Sequence, residues 1–349
     1  MGINFYLSYQ WLHWTRPSGP PSSLPNGIER TFIKTAGGDI ELLSAKPSEP
    51  ISKTPIVFAH GGMGSAWVWI PYMKYLQERG ITSYAVSTRG HGESWHPSFF
   101  RMMYATTKRM LGDDLVAGIK AVERMEGSEV VLVGHSSGGG LSQFIVNEGD
   151  VKVKGLGLLG AVPGTGSYHV YYNWWRFDPW FSLRMIFHGW HSNSPLSHPF
   201  LTRQAFFSPE YPDTKLLEFQ RHLNRYESFL WPLGMLLPFI DAKKLVSNIA
   251  GWGKGDRILI MAGTGDKMMT KEVQQKSAAT YREAVEEMAV EKRIDASLEK
   301  VQLLGGDGER DNSGKGVRLA FVPGAGHHVQ NDVQWKIGAQ KLLEFLRQL

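Results

Sequence analysis

The sequence contains no cysteine, which excludes disulfide bonds, thiolate metal sites and a cysteine nucleophile. It also contains no run of the roughly 18 apolar residues that a helix needs to cross a bilayer. Basic residues form no dense stretch, and the formal net charge of +5 is a small imbalance between 38 cationic and 33 anionic side chains. These absences argue against nucleic-acid binding and against a membrane-spanning protein.

The remaining composition is typical of a folded protein, because 42% of the 349 residues are hydrophobic and 20% are charged. The N-terminus has no basic segment followed by a long apolar one, which a secretory signal would have. Met1-Gly2 opens like a myristoylation site, yet the position that needs Ser or Thr holds Tyr6. We therefore predict a cytoplasmic protein.

Short apolar runs alternate with segments of helical periodicity along most of the chain. Two strands at residues 30–35 and 40–44 flank the turn Gly37-Gly38-Asp39 and predict a β-hairpin. Further strands are predicted at residues 55–59, 81–87, 129–133, 153–159, 257–262 and 317–322. Helices are predicted at residues 66–79, 106–125, 141–147, 271–290 and 333–346. This alternation predicts an α/β fold with a mostly parallel central sheet and helices on both faces.

The alternation stops between residues 163 and 249, where aromatic residues and prolines are frequent. We interpret this stretch as an inserted helical lid on a core formed by residues 26–162 and 250–349. Residues 291–315 within that core are polar and predict a surface excursion.

Residues 1–25 form an N-terminal arm and a linker rich in Pro, Ser and Gly. We expect the apolar side chains of the arm to pack against the lid or a second subunit in preference to a membrane interface. These side chains are Phe5, Tyr6, Leu7, Trp11, Leu12 and Trp14.

The segment Gly134-His135-Ser136-Ser137-Gly138 matches the pattern G-x-S-x-G. Such a match arises easily by chance in a chain with 39 glycines, but this one follows a predicted strand and precedes a predicted helix. A sharp strand-to-helix turn strains the serine backbone and lifts its hydroxyl clear of the sheet, and flanking glycines permit the close approach. We therefore predict that Ser136 is a nucleophile.

A serine hydroxyl needs a base that accepts its proton and an acid that orients the base. Asp266 and His327 each follow a predicted strand, and functional groups in open α/β sheets gather at the carboxyl ends of strands. The order serine, acid, histidine is also the one expected for a nucleophile on such a turn. We predict Asp266 as the acid and His327 as the base, with Asp241 and His328 as the respective alternatives.

Acyl chemistry also needs backbone donors for the oxyanion. The amide of Ser137 directly follows the nucleophile, and Gly62 lies in the glycine-rich turn after the strand at residues 55–59. We predict these two amides as the oxyanion hole. Candidate substrate-binding residues are His60, Met63, His135, Trp174, Trp175 and His328.

Three histidines of the predicted lid, His188, His191 and His198, lie close together in sequence. No carboxylate or cysteine accompanies them at the spacing of a metal site. We therefore predict neither a metal ion nor another cofactor.

Several of these segments together resemble the α/β-hydrolase superfamily in its esterase, lipase and lactonase-like branch. They are His60-Gly61-Gly62, Arg89-Gly90-His91-Gly92-Glu93-Ser94, the turn around Ser136, Asp266, and Gly326-His327. The resemblance covers about residues 30–160 and 250–348, and the sequence as a whole is similar to fungal members. Family members usually carry an aspartate two residues before the arginine, where this chain has Ser87.

These observations predict a serine hydrolase that cleaves a carboxylic ester or lactone through an acyl-enzyme intermediate. The aromatic lid favours a hydrophobic small molecule as the substrate. Two other hypotheses remain open, because a fold does not determine a reaction. One is C–C bond cleavage, lyase or acyl-transfer chemistry on the same triad, and the other is a non-catalytic ligand-binding protein. A homodimer is possible.

Overall fold

The computed structural model describes residues 5–253, 255–305 and 311–349. In these ranges the strands are β1 (Glu29–Lys34), β2 (Asp39–Ala45), β3 (Ile56–Ala59), β4 (Ser83–Val86), β5 (Val131–His135), β6 (Gly155–Leu159), β7 (Ile258–Gly263), β8 (Gln302–Leu303), β9 (Asn312–Gly314) and β10 (Val317–Val322). They form one sheet in the order β1-β2-β4-β3-β5-β6-β7-β10-β9-β8. The six central strands are parallel to one another: β4, β3, β5, β6, β7 and β10. The outer strands, β1 and β2 on one side and β9 and β8 on the other, pair antiparallel. The predicted hairpin and the mostly parallel central sheet are confirmed.

The helices of the described residues are α1 (Ile70–Gln77), α2 (Phe99–Ala105), α3 (Lys108–Glu126), α4 (Ser136–Glu148), α5 (Tyr168–Phe177), α6 (Phe181–Phe187), α7 (Pro199–Phe206), α8 (Asp213–His222), α9 (Leu230–Leu233), α10 (Ala242–Ser247), α11 (Lys271–Val290) and α12 (Trp335–Leu346). Buried residues of α1 and α12 pack on one face of the sheet, and those of α3, α4, α10 and α11 pack on the other. Side chains of β5 alternate between the two faces of the sheet. Val131 and Val133 pack with α1 and α12, and Leu132 packs with the helices on the other face.

Because both faces of the sheet are covered, its central strands are apolar along nearly their whole length. Every residue of β3, β5, β6 and β7 is buried. The parallel strands all end at the same edge of the sheet. The turns after β3, β5, β7 and β10 therefore meet there, and these turns carry the predicted chemistry.

Most predicted helices and strands are confirmed to within a few residues, but three differ. Residues 66–79 divide into a 3-10 turn (Ala66–Trp69) and α1, because Pro71 suits only the first turn of a helix. Helix α4 begins at Ser136 rather than at residue 141, so the glycines at positions 138–140 lie inside it. Helix α2 was not predicted, since its seven residues are too few to establish a clear periodicity.

The stretch from residue 163 to 249 contains α5 to α10. Its last helix, α10, packs beside α4 and α11 of the core, so the stretch ends on the core itself. The predicted polar excursion at residues 291–315 contains the short strands β8 and β9, which extend the sheet beyond β10. Residues 306–310 of that excursion lie outside the described residues.

The described part of the N-terminal arm packs against the helices between β6 and β7. The Phe5 ring contacts Trp180 and Phe187 with centroids 5.9 and 5.7 Å away. The Tyr9 hydroxyl donates to the Phe187 carbonyl at 2.8 Å, and the Arg184 guanidinium donates to the Phe5 carbonyl at 2.9 Å. The arm thus packs on α6, which lies in the stretch that the sequence analysis interprets as a lid.

Met1-Gly2, whose likeness to a myristoylation site fails at Tyr6, lies outside the described residues. Among the helices that are described, none combines the length and apolar character that crossing a bilayer requires.

The first turn of α4 passes very close to the turn after β3, and Gly138 permits this contact. A Cβ on Gly138 would lie 2.0 Å from the His60 carbonyl oxygen, which is fixed backbone. Alanine normally stabilises a helix interior by about 1 kcal/mol relative to glycine. We expect the clash to outweigh that gain, so that Gly138→Ala lowers the free energy of unfolding by about 3 kcal/mol.

Urea unfolding followed by circular dichroism measures this change. Gly305→Ala is the matched control, because no described heavy atom lies within 4 Å of the Cβ it would add. Equal stabilities for the two variants would contradict the proposed close approach.

Candidate active site

Three predicted side chains meet at the carboxyl edge of the sheet. Ser136 Oγ donates to His327 Nε2 at 2.9 Å, and His327 Nδ1 donates to Asp266 Oδ2 at 2.8 Å. His327 and Asp266 are buried, and Ser136 is half-buried. Because a carboxylate only accepts, His327 carries its proton on Nδ1 and leaves Nε2 free to accept the serine proton.

Ser136 lies in a strained turn between β5 and α4. Its φ of +54° falls in the left-handed region, which residues other than glycine seldom adopt. The Val162 amide donates to the Ser136 carbonyl at 3.0 Å and helps to hold this conformation. The turn places the Ser136 hydroxyl above the sheet and the amide of Ser137 at the N-terminus of α4, where the helix dipole favours negative charge.

Asp266 is itself held in place, which fixes the orientation of His327. Its Oδ1 accepts from the backbone amides of Met268 and Met269, both at 2.9 Å. The alternative acid, Asp241, instead caps α10 by accepting from two amides at the start of that helix.

His328 is directed away from Ser136. Its Nδ1 lies 3.0 Å from Asn331 Oδ1, and its ring packs 4.4 Å from the ring of His135. Burial, together with the neighbouring His327, lowers the pKa of His328 to about 3. His328 is therefore a neutral, buried ring behind the site.

Two further histidines near the serine are also neutral. Burial lowers the pKa of both His60 and His135 well below the ordinary value. His135 Nε2 donates to the His327 carbonyl at 3.0 Å, and His60 Nδ1 donates to the Gly61 carbonyl at 2.8 Å. These two rings support the backbone of the site. The ring that would become charged on accepting a proton from Ser136 is that of His327.

The turn after β3 brings Gly62 beside Ser137. The Gly62 amide donates to Ser137 Oγ at 2.7 Å, so the side chain of Ser137 occupies this donor. The next amide, that of Met63, donates to Glu227 Oε2 at 2.8 Å and is directed away from Ser137. Of these two amides, that of Gly62 is therefore the one directed toward Ser137, the residue that follows the predicted nucleophile.

A cavity of about 580 Å³ opens beside Ser136. Its walls come mainly from the helices between β6 and β7 and are largely apolar. The principal lining side chains are Val170, Trp174, Phe181, Met185, Phe206, Trp231, Met235, Met268 and Met269. Five lining residues are also exposed and mark the mouth of the cavity: Tyr104, Tyr171, Ser182, Trp190 and Leu233.

The structure brings some of the candidate substrate-binding residues to this cavity and not others. Met63 and Trp174 line it. Trp175 lies on the exposed side of α5, outside the described lining. The three histidines among the candidates, His60, His135 and His328, are buried behind the cavity wall.

Sequence reasoning missed two buried carboxylates that hold the loops of the site. Asp332 Oδ2 accepts from the amides of Gly326 and Ser208, both at 2.7 Å, and so fixes the loop before His327. Glu227 accepts from Met63 and so fixes the turn after β3. Neither carboxylate belongs to a recognisable motif, so only the folded structure reveals them.

The three histidines of the predicted lid make separate contacts. His188 Nδ1 lies 2.9 Å from Ser194 Oγ, His191 Nε2 donates to a backbone carbonyl of the arm, and His198 caps α7. Within the part of the chain that the structure describes, no three His, Cys, Asp or Glu side chains gather as a metal site would require.

Solved structures with the same fold are found over almost the whole chain. An esterase from Exiguobacterium antarcticum is 18% identical with a TM-score of 0.59, over 91% of this chain and 99% of that one. A carboxyl esterase from Bacillus coagulans is 14% identical with a TM-score of 0.60, over 93% and 99%. A bromoperoxidase from Bacillus anthracis is 17% identical with a TM-score of 0.60, over 91% and 100%. At these identities the matches demonstrate a shared fold.

The resemblance to fungal members gains no support from these structures, which come from Exiguobacterium and Bacillus. The family resemblance itself is confirmed, because the model of the alpha/beta hydrolase family matches residues 56–335. That match covers well over half of the chain and includes Gly62, Ser136, Asp266 and His327. The chain therefore belongs to the alpha/beta hydrolase family.

Proposed function

We propose that this α/β hydrolase cleaves a carboxylic ester or lactone of a hydrophobic small molecule through an acyl-enzyme intermediate. The proposal depends chiefly on the hydrogen-bond chain from Ser136 through His327 to Asp266, with distances of 2.9 and 2.8 Å, beside an apolar cavity. The names of two similar structures, an esterase and a carboxyl esterase, support an ester as the bond that is cleaved.

In the first step, Ser136 Oγ attacks the carbonyl carbon of the substrate while His327 Nε2 accepts the serine proton. Asp266 stabilises the imidazolium that results and keeps it in the correct orientation. The amides of Gly62 and Ser137 receive the oxyanion, whose oxygen takes the place that Ser137 Oγ occupies at the Gly62 amide. Each such donor typically contributes about 10²–10³-fold to kcat.

The imidazolium then returns its proton to the alcohol oxygen as the bond to the carbonyl carbon breaks, which leaves the acyl-enzyme. In the second half of the reaction, water attacks the acyl carbon while His327 accepts its proton. That proton passes to Ser136 Oγ as the bond between Ser136 and the acyl carbon breaks, and the acid is released. Because His60, His135 and His328 are neutral, the transient positive charge stays on the ring that faces Ser136.

The cavity supports a hydrophobic substrate. Its volume of about 580 Å³ lies within the range of pockets that enclose small organic ligands. Aromatic and thioether side chains such as Trp174, Phe181 and Met185 provide most of its walls. An acyl or alcohol group that carries a ring or an alkyl chain would bury apolar surface against them.

A fluorophosphonate probe tests the nucleophile directly. We expect the wild-type protein to be labelled on Ser136 and to turn over short aryl esters, since the probe reacts with an activated serine. Ser136→Ala is expected to abolish labelling and to lower kcat by about 10⁶-fold. Peptide mass spectrometry locates the label.

The control for this labelling is Ser247→Ala, which changes an exposed serine of α10 and leaves the site untouched. A folded wild-type protein that stays unlabelled and turns over no ester would contradict the proposed function. Incorporation of ¹⁸O from labelled water into the acid product separates hydrolysis from acyl transfer.

Asp266→Asn tests the orienting acid. An amide would donate to His327 Nδ1 and force the wrong tautomer, so we expect kcat to fall by about 10⁴-fold. Asp241→Asn is the matched control, because Asp241 caps the N-terminus of α10 and does not contact His327. Asparagine caps a helix as well as aspartate does, so this change should preserve the fold. Steady-state kinetics with an aryl ester distinguish the two, and a larger loss in Asp241→Asn would refute the assignment.

A further inference from the structure

A buried carboxylate lies beside the turn that carries Gly62. Glu227, between α8 and α9, is the one charged residue among the described residues that line the cavity. Its Oε2 accepts from the Met63 amide and from His91 Nε2, each at 2.8 Å, and its Oε1 accepts from the Ser228 amide at 2.7 Å. Such a charge needs a compensating partner, because burying it alone is very unfavourable.

The partner is His91, which geometry identifies as an imidazolium. Its Nε2 faces the Glu227 carboxylate, and its Nδ1 lies 2.9 Å from the Arg89 carbonyl oxygen and 3.1 Å from Thr88 Oγ1. The carboxylate and the carbonyl only accept, and the Thr88 hydroxyl can accept from Nδ1 while it donates toward His60 Nε2 at 3.4 Å. A neutral imidazole has a single N–H to donate, so it could not supply both sides of the ring. Burial disfavours the charged ring, but the charge and hydrogen bond of Glu227 outweigh burial and raise the pKa of His91.

The carboxylate also holds a strained residue. Met63 has a φ of +62°, in the left-handed region that residues other than glycine seldom adopt. Its amide is bound by Glu227, and its carbonyl accepts from the Asn224 amide at 2.8 Å. The segment from residue 224 to 227 therefore holds Met63 at both ends of its backbone, and the amide of Gly62 precedes it directly.

We propose that the Glu227–His91 ion pair is a positioning device that locks Met63, and through it the Gly62 amide, in the geometry that receives the oxyanion. The proposal rests on the proposed function. Glu227 acts through Met63 and does not itself react with the substrate. The proton on His91 is part of the device, because it cancels the carboxylate charge close to the place where negative charge develops.

The protonation of His91 therefore links activity to pH. As pH rises through the raised pKa of His91, the pair loses its proton and leaves an uncompensated carboxylate near the oxyanion. We expect kcat to fall on this alkaline side. The stability contributed by the pair is present at pH values below 6.5 and is lost over the same alkaline range. The other titratable or charged groups around His91 are His60, Arg89, His96 and Asp114.

Glu227→Gln tests the positioning role of the ion pair. Its matched control is Glu210→Gln, because Glu210 is an exposed glutamate of the predicted lid. We expect Glu227→Gln to lower kcat by about 10²-fold, the effect of disturbing one oxyanion donor. KM should change by less than about threefold, since a misplaced donor affects the transition state and not ground-state binding. Affinity for a trifluoromethyl ketone, which forms an oxyanion-like adduct with the serine, should fall in parallel with kcat.

The pH profile separates positioning from a merely structural role. In the wild type, kcat should decline with the titration of His91 observed by NMR of ¹⁵N-labelled histidine. In Glu227→Gln the proton is no longer held, so this alkaline decline should disappear. A Glu227→Gln protein with unchanged kcat and ketone affinity would overturn the proposal, and so would a rise in KM alone.

Three further outcomes have different meanings. If Glu227→Gln does not fold, the wild type decides, and a kcat that stays constant across the His91 titration overturns the proposal. A wild type with no labelled serine contradicts the proposed function. A His91 ring that titrates at or below its ordinary pKa of 6.5 contradicts the ion pair whatever the activity.

Discussion

The contact between the first turn of α4 and the turn after β3 is the constraint on which the site depends. A Cβ on Gly138 would lie 2.0 Å from the His60 carbonyl oxygen, and one on Gly61 would lie 2.9 Å from the Ser136 Cβ. Two backbones at this separation have no room for intervening side chains. Their amides therefore converge beside Ser136, and the strained φ of that serine is maintained by the packing around it.

Two buried carboxylates join the helices between β6 and β7 to the loops of this site. Glu227 reaches from those helices to the turn at Met63, and Asp332 reaches from the loop after His327 to Ser208 at the end of α7. If one of these carboxylates moved away, the amide that it accepts from would stay buried without a partner. Each such amide would destabilise the folded protein by about 1–3 kcal/mol. The helices between β6 and β7 are thus tied to both loops, and the geometry of the site depends on their position.

The parts of the site that could be predicted from sequence are those encoded locally. Strand β5 ends directly before Ser136, and β7 and β10 precede Asp266 and His327 by a few residues, so hydrophobic runs locate all three. Family resemblance drew attention to the segment that contains His91 but gave that residue no role.

The remaining parts depend on contacts between distant positions. Met63 and Glu227 are separated by 164 residues, and no local pattern relates them. The start of α4 was mispredicted for a different reason. Three consecutive glycines disfavour a helix by intrinsic propensity, and tertiary packing against His60 and Ala161 requires them there. Propensity was therefore overridden at the position where close approach matters most.

The same contacts separate the segment that holds the turn at Gly62 from the segment at the cavity mouth. Displacing the segment around Glu227 would release the turn that carries Gly62. Helix α6, by contrast, is bound to the N-terminal arm through Arg184 and Phe187, and its end leads to Trp190 at the cavity mouth. No residue of α6 or of the described arm takes part in the described hydrogen bonds of Ser136, His327 and Asp266. The helices between β6 and β7 thus hold the loops of the site and border the cavity mouth with different segments.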